Sequence, residues 1–197
     1  MSKLVGWLVT LGGALPGLWL LWQWQTGGLG VVPDEVVLHK TGRFGLVFLV
    51  ATLALGPLQA LSRWRPLLAA RRPLGLWCFA YVLAHAGIWA WLDQGLFWEF
   101  IWAELTTMLH LQLGLAALLL LLPLALTSTN AALKALTFRR WQRLHLLVWP
   151  AAVLAIVHAW MVQRFESPLV VGLAAAVLVM LTTRLAVAWR QHRRSGA

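Results

Sequence analysis

Six long apolar segments, separated by short polar stretches, dominate the chain. Each is close to the ~20 residues that an α-helix needs to cross the ~30 Å apolar layer of a bilayer. Within them the apolar residues run continuously and do not alternate as they do in barrel strands. The pattern predicts an all-α integral membrane protein, a bundle of six transmembrane helices forming one domain over residues 1–197. The predicted spans are 4–24, 44–61, 73–92, 109–126, 141–162 and 168–189.

The composition supports the same class of protein. Hydrophobic residues make up 61% of the 197 residues and charged residues only 11%, whereas soluble domains have about 25% charged residues. The 14 tryptophans fit as well, because Trp favours the membrane–water interface. The net charge of +10 could indicate nucleic acid binding, but the basic residues alternate between inter-helix segments. We therefore expect a lipid bilayer around this chain and no nucleic acid partner.

The charged residues divide unequally between the two predicted faces of the bundle. The N-terminus, the 62–72 and 127–143 segments and the C-terminal end carry all 16 Lys and Arg residues except Lys40, Arg43 and Arg164. By the positive-inside rule this basic face is cytoplasmic, and both termini lie on it. The opposite, acidic face carries all six acidic residues, which are Asp34, Glu35, Asp93, Glu99, Glu104 and Glu166.

Prolines predict where some spans begin and where others bend. Pro73 and Pro168 suit the first turn of a helix, where a missing N–H costs little. Pro57, Pro123 and Pro150 lie inside predicted spans, and each is expected to kink its helix.

Three histidines lie within or at the ends of the predicted spans, where an ionisable side chain is costly and marks a functional-site hypothesis. His85 lies ~10 Å from the acidic-face end of the third span, and His158 ~6 Å from that end of the fifth. The two are therefore predicted to share one level. Two imidazoles at one depth can supply both axial ligands of a haem iron, an arrangement suited to electron transfer. The alternative is that they are hydrogen-bonding core residues.

His145 precedes His158 on the fifth span by ~20 Å, near the basic face. The third span has no histidine at this level, where Arg71 or Arg72 is expected instead. A haem here would use an unusual second ligand or be five-coordinate, or His145 has another role. The two arginines could bind haem propionates or a flavin phosphate, or be ordinary basic-face charges. On an ideal helix the two rings point ~140° apart, and Pro150 could supply the bend that realigns them.

The remaining histidines carry weaker signals. His39 is predicted in the loop 25–43 on the acidic face, and His110 at the start of the fourth span on the same side. Both are expected to be interfacial, although His39 could meet a quinone headgroup or a partner protein. His192 lies in the basic tail, where it is expected to be solvated.

Two stretches resemble a known family. They are RRPLGLWCFA at 71–80, followed by His85, and RWQRLH at 140–145, followed by His158. They resemble the MsrQ (YedZ) family, the haem-binding membrane subunits of the periplasmic protein-methionine-sulfoxide reductase system, within the ferric-reductase-like transmembrane group. Residues 27–30 and 39–43 also match the first outer loop of that family. The resemblance implies six helices with haem ligands on the third and fifth, of which this chain lacks the basic-face histidine on the third.

The resemblance also implies cofactors, partners and a location. Such proteins pass electrons from the quinol pool, or from a cytosolic flavin reductase, to a periplasmic molybdopterin methionine sulfoxide reductase. The chain would then be a multi-pass protein of the bacterial inner membrane that binds one haem b, or two. It would be the electron-transfer subunit of the system, and the substrate chemistry would take place in the partner. The family is also associated with FMN, for which no phosphate-binding glycine loop is present.

Two other functions compete with this one. The first is a ferric or cupric reductase, or a cytochrome b subunit of another respiratory dehydrogenase. The second is of another class, a haem-free membrane transporter or assembly scaffold, which predicts a colourless purified protein. No inverted sequence repeat supports a transporter.

Overall fold

A computed structural model describes residues 1–163 and 167–195. Arg164 and Glu166, used in the topology argument, lie outside the described residues, as do the side chains of residues 190–195. A 3-10 segment, Arg65–Ala70, precedes the helix that begins at Arg71, and a π-helical turn, Trp89–Asp93, follows the end of that helix. The α-helices are α1 (Ser2–Gly12), α2 (Leu15–Gln25), α3 (Pro33–Ser62), α4 (Arg71–Ile88), α5 (Trp98–Thr107), α6 (Leu109–Leu126), α7 (Asn130–Ala135), α8 (Phe138–His145), α9 (Val148–Val162) and α10 (Pro168–Ser195).

The prediction of six membrane-spanning helices is confirmed for the described part of the chain. Six helical stretches there are long and apolar enough to cross a bilayer. Their bounds follow the predicted spans closely at 109–126 and differ at the others by a few residues or more. They are Ser2–Gln25, Pro33–Ser62, Arg65–Asp93, Leu109–Leu126, Phe138–Val162 and Pro168–Ala186.

The core of the bundle lies between α3, α4, α6, α9 and α10. Helix α3 packs most extensively on α4, and α6 on α9. Ala151 and Ala152 of α9 are completely buried, because small side chains let membrane helices approach closely. Many large apolar residues point outward instead, as a lipid-facing surface requires. The buried cluster consists of Leu46, Leu49, Val50, Leu53, Cys78, Leu121, Leu124, Ala151, Ala152, Ile156, Val170 and Val177.

The first span is two helices rather than one, with the interruption at residues 13–14. The hydroxyl of Tyr81 on α4 lies inside this interruption. It accepts a hydrogen bond from the Gly17 N–H at 2.8 Å and donates one to the Gly13 carbonyl at 2.9 Å. A side chain inserted into the backbone ladder is a recognised cause of helix bending. Pro16 contributes as well, since it cannot donate to the preceding turn.

The second span begins at Pro33, well before residue 44, where the apolar pattern placed it. Its start has a proline in the first turn and two acidic residues, Asp34 and Glu35. Both features favour a helix N-terminus, since proline needs no N–H partner there and carboxylates complement the helix dipole. The prediction that His39 lies in a loop is therefore wrong, because residue 39 is helical.

The fifth span is interrupted at residues 146–147, between α8 and α9, and not at Pro150. The N–H groups of Leu146 and Leu147 bond to carbonyls only three residues earlier, those of Arg143 and Leu144. Pro150 is the third residue of α9, where its missing N–H costs little. The proline thus marks the start of a new helix, which places the break directly after His145.

A short helix, α5, lies in the connection that the sequence pattern left without structure. Its residues Trp98, Phe100 and Trp102 are exposed, each by more than half. Aromatic side chains on a short amphipathic helix suit the membrane–water interface. Helix α5 therefore fits a position along the membrane surface at the acidic face.

Candidate functional site

The structure brings together the two histidines that the sequence placed at one level. His85 on α4 and His158 on α9 have ring centroids 6.1 Å apart, with the ring planes at 76°. They belong to different helix pairs, since α4 packs on α3 and α9 packs on α6. The two rings therefore face each other across the junction of the two pairs.

Each of the two rings is oriented by a backbone carbonyl of the neighbouring helix. Nδ1 of His85 lies 2.8 Å from the carbonyl oxygen of Leu38, and Nδ1 of His158 lies 2.7 Å from that of His110. A carbonyl oxygen only accepts hydrogen bonds, so Nδ1 is the protonated nitrogen in both rings. This leaves Nε2 with a free lone pair in each ring, the tautomer that metal-binding histidines adopt.

A glycine next to each ring makes this close packing possible. A Cβ at Gly42 would lie 3.0 Å from Nδ1 of His85, and a Cβ at Gly114 would lie 2.9 Å from Nδ1 of His158. Each glycine follows the residue with the accepting carbonyl by one helical turn, Gly42 after Leu38 and Gly114 after His110. The two histidines are therefore held by the same local arrangement on two different helix pairs.

A cavity lies between these helices, lined by both rings. Its walls are mostly Leu, Val, Ala and Gly residues, and its polar end is formed by His39, Arg43 and Gln163. The cavity volume of about 200 Å³ is smaller than the ~300–1,000 Å³ of pockets that bury a whole ligand. The lining side chains must therefore separate to admit a large macrocycle.

The donor set fits a haem iron. Two metal–nitrogen bonds of about 2 Å each, together with the distance from each nitrogen to its ring centre, would separate two ring centroids by roughly 6 Å. The observed separation of His85 and His158 is 6.1 Å. In the described residues no group of three or more His, Cys, Asp or Glu side chains could hold a metal ion. A porphyrin would supply the further ligands of an iron held between these two imidazoles.

His145 lies apart from this pair, at the end of α8. Its ring stacks on Trp141 with centroids 3.9 Å apart, and its Nδ1 lies 3.1 Å from the Trp141 carbonyl on the same helix. Nε2 of His145 is buried and has no hydrogen-bond partner. An unsatisfied buried nitrogen is costly, which makes it a candidate ligand atom.

Arg71 and Arg72 begin α4 on the basic face, and neither bonds to His145 within the described residues. A guanidinium nitrogen of Arg71 lies so close to Gly56 that a Cβ there would be 3.0 Å from it. Arg72 donates from Nη1 to Oδ1 of Asn130 at 2.9 Å. The two arginines thus have separate environments at the start of α4.

Several functional features were missed by the sequence reasoning. The carbonyls of Leu38 and His110 carry no residue-type signal, because every residue has one. Gly42 and Arg43 lie in the segment 39–43 that resembles the family. They were missed because the sequence predicted a loop there, whereas both residues lie on α3. The proline and acidic residues at 33–35 were the signal that would have extended this helix.

Comparisons with known proteins give a consistent picture. The family model described as "Ferric reductase like transmembrane component" matches residues 41–156, more than half of the chain. This range contains Gly42, His85, Gly114 and His145.

Curated relatives match over most of their length. The protein-methionine-sulfoxide reductase heme-binding subunit MsrQ of Rhodospirillum rubrum is 40% identical over 182 residues, covering 92% of this chain and 87% of the relative. The protein of the same name from Salmonella arizonae is 40% identical over 197 residues, covering 98% of each. That from Herminiimonas arsenicoxydans is 37% identical over 176 residues, covering 87% of this chain and 80% of the relative.

Proposed function

Because this chain belongs to the MsrQ family, within the ferric-reductase-like transmembrane group, we propose that it is a transmembrane b-type cytochrome. It carries electrons from the quinol pool, or from a cytosolic flavin reductase, to a periplasmic molybdopterin methionine sulfoxide reductase. It is the electron-transfer subunit of that system, as a single domain in the bacterial inner membrane with both termini cytoplasmic.

The observation that carries the proposal is the pair His85 and His158. Their ring centroids are 6.1 Å apart, and both Nδ1 atoms are engaged by carbonyls of neighbouring helices. In this assignment both Nε2 atoms would hold one haem b iron. A haem with two imidazole ligands supplies a one-electron couple and leaves no open position for a substrate.

This ligand set decides where the chemistry takes place. Reduction of a methionine sulfoxide to methionine and water consumes two electrons and two protons. A one-electron carrier delivers these electrons singly, so the partner collects both and performs the oxygen removal. The residues of this chain would hold the iron, while the carbonyls orient the imidazoles and the apolar cavity wall would keep water away.

A second haem at the basic face is the extension of this proposal. His145 is its candidate ligand, supported by the buried and unbonded Nε2. Arg71 and Arg72 are candidates for binding its propionates or the phosphate of an FMN, because guanidinium groups pair well with both anions. FMN itself is proposed from the family resemblance, without residues assigned to it.

The test is the reduced-minus-oxidised visible spectrum of the purified protein, with haem quantified per chain. Sharp low-spin b-type bands are expected, and both His85→Ala and His158→Ala should abolish the acidic-face contribution. His110→Ala is the matched control, since it removes an imidazole but keeps the carbonyl that orients His158. A low-spin spectrum unchanged in His85→Ala would refute the ligand assignment. A colourless wild-type protein from haem-supplied cells would favour a transporter or scaffold.

The family-model match favours a second candidate, a ferric or cupric reductase. This protein would bind the same haem but pass its electrons to a soluble metal ion. Reoxidation of the dithionite-reduced protein, followed at the haem bands, separates the two. Reoxidation by the purified molybdopterin partner with methionine sulfoxide supports the leading proposal, whereas reoxidation only by ferric or cupric chelates supports the alternative.

A further inference from the structure

The cavity between His85 and His158 has a polar end, which carries the positive charge of Arg43. His39, Arg43 and Gln163 line both the cavity and an adjoining depression at its mouth, which Ser167 also lines. We propose that this polar end is a carboxylate site, in which Arg43, assisted by His39, binds the haem propionates. The inference rests on the proposed function, since it assumes a haem between the two imidazoles.

The position of Arg43 follows from the packing of α3 on α4. Gly42, the preceding residue, contacts the His85 ring, where a Cβ would lie 3.0 Å from Nδ1 and 3.1 Å from Cε1. Arg43, the next residue of α3, lines the same cavity as the ring that would ligate the iron. His39 lies one turn earlier on the same helix. Its Nδ1 lies 2.7 Å from the carbonyl oxygen of Glu35, so that nitrogen donates and Nε2 is free to interact with the cavity mouth.

Charge complementarity identifies the ligand group. A haem has two propionate carboxylates, and an anion buried in an apolar cavity without a partner is strongly disfavoured. Apart from the imidazoles and the Trp89 indole, the cavity wall is apolar away from its polar end. The propionates must therefore leave the cavity at the end that carries Arg43, whose guanidinium can bind a carboxylate through two parallel hydrogen bonds.

Arg43 and Lys40 on α3 differ in what they contact. Within the described residues the guanidinium of Arg43 makes no hydrogen bond, ion pair or ring contact. Lys40, three residues earlier on the same helix, is engaged elsewhere, with its ammonium 4.7 Å from the ring centroid of Trp19. One of these two cations thus points to the cavity and the other to the first span, which makes Lys40 a matched control.

The site has a consequence that can be measured at the iron. A propionate paired with a cation places less negative charge near the haem, and less negative charge favours the ferrous form. Arg43→Gln removes that pairing and should shift the equilibrium toward ferric haem. The expected size is about a tenfold fall in the ferrous-to-ferric ratio at a fixed potential, about 59 mV for a one-electron couple.

The experiment is a spectroelectrochemical titration of the purified full-length protein in detergent. Arg43→Gln is compared with Arg43→Lys, which keeps a charge but not the fork of donors, and with Lys40→Gln. We expect a lower midpoint potential for Arg43→Gln, a smaller shift for Arg43→Lys and less than a twofold change in the ratio for Lys40→Gln. Resonance Raman spectra should show altered propionate bending bands only for the Arg43 variants.

Two results would overturn the inference. An unchanged potential in Arg43→Gln would mean that the guanidinium does not pair with the propionates. An equal shift in Lys40→Gln, without changes in the propionate bands, would mean that Arg43 acts only through its distant charge. If Arg43→Gln fails to retain haem, the potential and propionate bands of Arg43→Lys decide the question in the same way. A wild-type protein without low-spin haem would instead refute the proposed function itself.

Discussion

The two ends of the bundle hold their histidines in different ways. At the acidic face, His85 and His158 each bond to the carbonyl of a neighbouring helix and pack against a glycine of that helix. At the basic face, His145 bonds to a carbonyl of its own helix and stacks on Trp141. The first arrangement fixes two rings relative to one another through tertiary contacts. The second fixes one ring relative to its own short helix.

The two arrangements differ in how firmly they fix the position of a ring. A ring oriented across a helix interface moves only if the interface moves, so the distance between two such rings is set by the packing of four helices. A ring oriented by its own helix moves with that helix. Helix α8 is separated from α9 by the break at 146–147, so His145 is not tied to the position of His158. We therefore expect the ring positions of His85 and His158 to vary less than the ring position of His145.

The strongest consequence is expected from removing the imidazole of His145 at the basic face. His145→Ala should lower the haem content from two per chain to one while leaving the low-spin bands of the acidic-face haem unchanged. Pyridine haemochrome quantification with visible spectroscopy measures both quantities. Gln142→Ala, an exposed neighbour on α8, is the control and should keep the wild-type haem content. An unchanged content in His145→Ala would remove His145 from the ligand set.

A smaller effect is expected from adding a side chain at Gly42 or Gly114, the glycines that pack against the two rings of the acidic face. Gly114→Ala places a Cβ 2.9 Å from Nδ1 of His158, so the ring must shift away from the His110 carbonyl. Haem retention during dilution or competition with apomyoglobin should weaken by about tenfold, the cost of one strained hydrogen bond to a metal-ligating imidazole. Gly42→Ala should act in the same direction on His85.

The control for these substitutions is Gly87→Ala on α4, close to His85 in sequence. No atom lies within 4 Å of a Cβ at that position by the same measure. If Gly87→Ala loses haem as readily as Gly114→Ala does, the effect is a general one on helix α4 or on the bundle. The close packing of Gly114 against the His158 ring would then have no special role.

The weakest consequence is expected at the first span, whose residues do not line the cavity between His85 and His158. Tyr81→Phe removes the hydroxyl that bridges Gly17 and Gly13. It should lower the free energy of unfolding by about 1 kcal/mol, since the two backbone groups can then bond to each other. Thermal unfolding in detergent, followed by tryptophan fluorescence, measures the change. A spectral change at the haem in this variant would contradict the separation between the first span and the haem cavity.

The sequence predicted much of the fold but less of the site. Long apolar runs are read directly from hydropathy, and the level of His85 and His158 follows from counting residues along two spans. The helical segment before residue 44 was not predicted, because Asp34, Glu35 and Lys40 lower its mean hydropathy. It nevertheless belongs to the same helix as the span that follows it. Helix α5 was not predicted, because an interfacial helix is too short and too mixed in polarity to be recognised as a span.

The parts of the site that could not be predicted are mainly backbone features. The carbonyl of His110 orients His158, but nothing distinguishes that carbonyl in the sequence. A glycine such as Gly114 has no side chain to suggest a role, and its importance appears only when the neighbouring helix is placed. The expected bend at Pro150 was displaced to residues 146–147, because a proline in the first turn starts a helix as readily as it bends one.

The hydroxyl of Tyr81, the only tyrosine of the chain, also sets the vertical register of the first span. Contacts between small residues are not direction-specific, and such helices can slide along each other. A slide by one turn, about 5.4 Å, would separate the hydroxyl from both Gly13 and Gly17. It would also break the bond from the Trp77 indole to the Thr10 carbonyl, now 2.9 Å long. The depth of the N-terminal span in the membrane is thus determined by α4, the same helix that presents His85.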